Sequence, residues 1–122
     1  MVLATSPGRL QAWIRVTTSG LEPFYATAIA RQLARRYDGD PASADWRHVG
    51  RLAGFTNQKP ERRTLYGSAP WVRIVHARAV RAPGAEALMQ SVRDACGSHG
   101  HRVVGPQPNF AAAMIYCPTL CC

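Results

Sequence analysis

Lysine is almost missing from this chain. Lys59 is the one lysine in 122 residues, against fourteen arginines. Acids are also scarce, with 7 Asp+Glu against 15 Lys+Arg, a formal charge of +8. Cysteine is absent before Cys96, and Cys117, Cys121 and Cys122 crowd the end. A disulfide framework would spread its cysteines through the chain, so a reducing, cytoplasmic setting is expected. Long apolar runs are lacking too. The longest is Phe110 to Cys117, far short of the roughly 20 residues that span a bilayer, so no membrane partner is expected. Pro7, Gly8 and Arg9 interrupt the N-terminus before the apolar core of a signal peptide could form.

What is present is enough apolar material, 47% of residues, for one packed domain. The positive charge points to an anionic partner, nucleic acid or nucleotide. The skew toward Arg and Ala is also what a GC-rich genome produces, with a solvated surface as the plain reading.

Leu10 to Val16, LQAWIRV, alternates as a strand, with Leu10, Ala12, Ile14 and Val16 on an apolar face. Leu21 to Tyr37 reads as an amphipathic helix, with Leu21, Tyr25, Ile29, Leu33 and Tyr37 at steps of four. Ser19 is its candidate cap, and Pro23 suits the first turn. Asp45 to Asn57 predicts a short helical turn running into a loop. Trp71 to Val80 alternates as a second strand, and Pro83 to Cys96 as a second helix stopped by Gly97. Beyond Gly97 no period is visible. The expected division is a domain over residues 1–96 and an irregular tail over residues 97–122. The expected fold class is α+β, a small β-sheet with packed helices.

The chemistry gathers between Asp38 and Lys59. Asp38, Asp40 and Asp45 share this stretch with Arg47, His48, Arg51, Asn57 and Lys59. Metal-dependent phosphoryl transfer needs carboxylates for the metal and cations for the phosphates. The same residues have plainer readings: Asp-Gly-Asp-Pro is an ordinary turn, and Asp45 can cap a helix. His48 can be a structural histidine, and Trp13 and Trp46 can pack or stack on a base.

The order of these residues says more than their types. YDGDPASADWRHVGRLAGFTNQKP, Tyr37 to Pro60, resembles the RepB-type plasmid replication primases of the archaeo-eukaryotic primase superfamily. TSPGRLQAWIRV, Thr5 to Val16, and GSAPWVRIVHA, Gly67 to Ala77, resemble further stretches of that family. The resemblance implies a partial primase palm and metal-dependent nucleotidyl transfer. Such an enzyme makes primers on single-stranded DNA from nucleoside triphosphates, with Mg2+ or Mn2+, alongside other replication proteins of a plasmid or mobile element. Carried over residue by residue, it makes Asp40 a metal-binding catalytic carboxylate and Asp45 a supporting acid. Gln11 replaces the His that meets nucleotide phosphates in much of the superfamily. Arg47, His48, Arg51, Asn57 and Lys59 become phosphate-binding residues for nucleotide or DNA.

One departure stands out. The family's neighbouring Asp pair would precede Thr5, where this chain has only four residues. The resemblance therefore implies an N-terminally truncated catalytic domain. The alternatives are a catalytically silent fragment that binds single-stranded DNA or nucleotide, and a non-functional remnant. His99, His101, Cys117, Cys121 and Cys122 fit the paired spacing of a zinc site poorly.

Overall fold

Pro7 and Gly8 turn the chain between its first two strands. Strand β1 (Val2–Ser6) pairs antiparallel with β2 (Arg9–Arg15). Proline presets φ at the first turn position, and Gly8 takes the second at φ +67°, where a side chain would be strained. The pairing shifts register between Ala4 and Ser6, which leaves Thr5 as a bulge. The computed structural model describes residues 1–97 and the backbone of Ala112–Cys117.

Helix α1 (Pro23–Arg36) follows β2, with Pro23 in its first turn. Its cap position is Glu22, which makes no side-chain capping bond. Ser19, the expected cap, instead hydrogen-bonds with Thr17. The buried stripe is Ala26, Ile29, Ala30, Leu33 and Ala34. Alanines on this face let the helix backbone approach its neighbours closely, so the packed side is rotated from the one that the larger residues suggest. Tyr37 is 56% exposed. The helix ends in a Schellman arrangement. Asp38 adopts φ +52°, and the Gly39 amide donates to the Ala34 carbonyl at 2.7 Å.

A 3-10 helix at Pro41–Ser43 comes next, where the sequence suggests helical turn only from Asp45. Residues 48–57 run as loop. Strand β3 is Arg73–His76, shorter than the expected Trp71–Val80, and all four of its residues are exposed. It lies at the sheet edge, which explains the exposure. Past β3 the chain crosses over, and the Ala82 amide donates to the Arg15 carbonyl at 2.8 Å. Helix α2 (Ala85–Cys96) then ends at Gly97, φ +64°.

Strand β4 (Ala112–Cys117) pairs with β2 and completes an antiparallel sheet of order β3-β1-β2-β4. It falls inside the stretch expected to be irregular. An unbroken apolar run shows no alternation, so its period cannot announce a strand. Residues 98–111 and 118–122 lie outside the described residues, and with them the candidate zinc ligands His99, His101, Cys121 and Cys122.

The architecture is α+β. On one sheet face Val16 joins Ile29, Ala30, Leu33, Ala85, Met89 and Val92 in the core, with Ile14 against it. Helix α1 lies against β4 and α2. Leu3 and Gln11 point to the opposite face, as their strand positions require, and both are buried. The loop after the 3-10 helix covers that second face, and the site forms there.

Arg81 fastens α2 to the end of β2. Its Nε donates to the Val16 carbonyl at 2.8 Å, and its Nη2 to Glu86 Oε2. The hydrogen bond first, then the guanidinium charge, hold the Glu86 carboxyl below its ordinary value of 4.5. A lowered carboxylate pKa gives stability that is present above the ordinary value and lost as pH falls through the lowered one. Glu86→Gln is expected to flatten that part of the acid limb in unfolding curves taken down to about pH 3. The pair is exposed, so the effect is small.

Candidate functional site

The bulge in β1 decides which side chains face the loop. In a regular strand, successive residues point to opposite faces. Around the bulge Thr5 and Ser6 are both buried, and both line one cleft of about 500 Å³. The Ser6 hydroxyl oxygen is buried there with no hydrogen-bond partner among the described residues.

Two amide side chains hold the loop over the sheet. Gln11 is 0% exposed. Its Oε1 accepts from the Arg51 amide at 2.8 Å, and its Nε2 donates to the Arg51 carbonyl at 3.3 Å. A side-chain amide thus pairs with a loop peptide as a neighbouring strand would. Asn57 reaches back from the loop to the strand: Nδ2 donates to the Thr5 carbonyl at 3.0 Å, and Oδ1 accepts from the Lys59 amide at 3.3 Å. These two clamps fix the backbone on both sides of Gly54, which has φ +83°.

The cleft so formed is cationic. Arg9 comes from β2, Arg51 from the loop, and Lys59 and Arg62 from the chain after it. His48 lines the wall. Asp40 is the acid on the lining. Its Oδ1 accepts from the Ala42 amide and its Oδ2 from the Ser43 hydroxyl, each at 2.9 Å, so it caps the 3-10 helix. Four cations against one carboxylate suit a polyanion carrying several phosphates.

The residues singled out in sequence divide here. Asp40, His48, Arg51, Asn57 and Lys59 meet at the cleft, whereas Gln11, Asp45 and Arg47 do not line it. Gln11, expected to face phosphates, is sealed beneath the loop with both ends of its amide occupied by the Arg51 backbone. Asp45 turns its carboxylate to the Arg47 amide at 2.7 Å, closing a turn. Arg47 points to the other side of that turn, 5.6 Å from the centre of the Trp46 ring. Sequence reasoning missed Arg9 and Arg62. Arg62 follows the informative block, and Arg9 comes to the cleft only through the hairpin.

Mg2+ or Mn2+ finds one carboxylate in this cleft. Among the described residues no three His, Cys, Asp or Glu side chains gather as a metal-binding group. Two-metal chemistry needs more acids than Asp40, so the described residues do not by themselves build that site.

The family of the RepB DNA-primase N-terminal domain matches residues 1–98, from β1 through α2. The chain belongs to this family. The RepB-type domain is 46% identical over 90 residues to mobilization protein A of Escherichia coli, covering 74% of this chain and 13% of that protein. It superposes on the crystal structure of primase RepB′ with a TM-score of 0.65 at 43% identity, covering 75% of this chain and 30% of that one. The catalytic domain of primase RepB′ in complex with initiator DNA gives a TM-score of 0.63 at 43% identity, covering 75% and 44%. The RepB-type domain thus spans less than half the length of each of these relatives. Among its described residues no helix is long and apolar enough to cross a membrane.

Proposed function

We propose that this RepB-type domain handles the phosphates of single-stranded DNA and of nucleoside triphosphates during primer synthesis, in the replication of a plasmid or another mobile element. The observation that carries this reading is the cleft itself, whose lining sets Arg9, Arg51, Lys59 and Arg62 against the one carboxylate of Asp40. The relative crystallised with initiator DNA supports the choice of nucleic acid over other polyanions.

In this reading the arginines grip phosphates in bidentate fashion, while Lys59 acts as a point charge. Gln11 and Asn57 keep the loop from shifting when the ligand arrives. Nucleotidyl transfer is the reaction the family resemblance implies. Asp40 would contribute one carboxylate to it, and because all seven acids lie among the described residues, the remaining carboxylates would come from outside these 122 residues.

The test is binding of a fluorescent single-stranded oligonucleotide across a salt series. Four cleft cations, each releasing roughly 0.7 of a counterion on a single strand, give an expected log–log slope of about −3. Binding that ignores salt would sink the reading. A labelled nucleoside triphosphate is expected to compete for the same cleft. Adding Mn2+ to a primer-synthesis assay then asks whether the described acids support transfer: product from this chain would show that they do.

A further inference from the structure

A second groove lies on the far side of the turn that carries His48. Phe24, Thr27, Ala28 and Arg31 from the outer face of α1 line it together with Trp46, around a space of about 200 Å³. The Trp46 amide donates to the Thr27 hydroxyl at 3.3 Å, which ties the turn to the helix. Phe24 is 45% exposed and meets Tyr25 edge to face, with ring centres 5.4 Å apart. Arg47 holds its guanidinium over the Trp46 ring at 5.6 Å and 3.9 Å from Asp45. The groove therefore has aromatic side chains at the helix and at the turn, with Arg31 on its lining and Arg47 over the Trp46 ring.

We propose that this groove takes one base of a single DNA strand, with Phe24 and Trp46 as the stacking surfaces and Arg31 and Arg47 on the flanking phosphates. The proposal rests on the reading of the cleft as a phosphate site for single-stranded DNA. Three features favour this occupant. Aromatic faces beside a cationic groove are the common device for holding single strands without regard to sequence. Among the described residues Arg31 is the charged side chain on the lining, and no acid joins it there, so the groove's charge complements a polyanion. And the groove neighbours the cleft: Trp46 lines one, His48 the other, and a single turn, closed by the His48 amide on the Asp45 carbonyl at 3.2 Å, separates them. In the proposed arrangement a strand seated in the cleft crosses this turn to reach the aromatic pair.

The experiment compares Phe24→Ala, Trp46→Ala and Trp46→Phe with the parent. Fluorescence anisotropy would follow a labelled oligothymidylate, an abasic oligonucleotide of equal length, and a labelled nucleoside triphosphate. Loss of one stacking partner is expected to weaken oligothymidylate binding about tenfold. Trp46→Phe should recover most of that loss. Abasic and triphosphate binding should stay at the parent level. Phe24 is a partly exposed residue, so its replacement keeps the test valid if Trp46→Ala unfolds, and thermal melts report that directly. If Phe24→Ala, and Trp46→Ala where it folds, bind oligothymidylate like the parent while Lys59→Ala weakens it, the cleft reading stands and the groove proposal is overturned. Equal losses on the abasic strand would also overturn it, because they would report electrostatics in place of stacking. A parent that binds no oligonucleotide removes both readings together.

Discussion

Gln11→Met is expected to destabilise the domain by about 2 kcal/mol, the cost of leaving two part-buried backbone groups without their protein partner. Methionine keeps the length and most of the volume of glutamine, so packing beside its cross-strand neighbour Leu3 changes little. What disappears is the pair of hydrogen bonds to the Arg51 peptide. With no neighbouring strand at that point, the Arg51 amide and carbonyl have no ready replacement inside the protein. Urea unfolding would measure the loss as a lower midpoint with an unchanged slope. Oligonucleotide affinity should fall as well, because Arg51 loses its fixed place in the cleft. A midpoint equal to the parent's would mean that water replaces Gln11 without cost and that the loop holds itself. The comparison separates positioning from direct contact: Arg51→Ala should reduce affinity while leaving stability nearly unchanged.

The double reversal Lys59→Glu with Arg62→Glu is expected to reduce single-stranded DNA affinity by about a hundredfold at moderate salt, more at low salt. It removes half of the cleft's four cations and puts two carboxylates beside Asp40, so phosphates meet repulsion where they met attraction. The salt slope should shrink by roughly 1.4, two counterions fewer at about 0.7 each. Neither residue is buried, and neither belongs to the core, so the fold should tolerate both changes. Binding that survives the reversal with its slope intact would move the phosphate site elsewhere on the molecule.

Much of the frame is legible from local pattern. The alternation in LQAWIRV marks β2, the apolar spacing after Pro23 marks α1, and Gly97 marks the end of α2. These signals come from the pleat of a strand and the turn of a helix, which neighbouring residues impose on one another. Strand β4 stays hidden because an unbroken apolar run has no period. Strand β1 is too short and too close to the chain end to alternate visibly. The block from Asp38 to Lys59 is conspicuous in sequence, yet its residues part company in space. Asp40, His48, Arg51 and Lys59 face the cleft, while Trp46 and Arg47 line or flank the groove behind it.

By itself the sequence determined the α+β class, the family, the positive charge and the segment on which the chemistry concentrates. Those properties reside in composition, short-range periodicity and residue order, none of which needs a third dimension. The tertiary structure alone decided that Gln11 is a buried clamp, that Asp45 closes a turn, and that Arg9 and Arg62 belong to the cleft. Each depends on contacts between residues distant in the chain. The Gln11 bond to Arg51 spans 40 positions and the Asn57 bond to Thr5 spans 52. The physical reason is the bulge at Thr5, which turns two successive side chains toward one face, and the loop that folds back to meet them. Neither the bulge nor the returning loop leaves a mark in local pattern, because each is settled by which buried amides find partners once the sheet has formed.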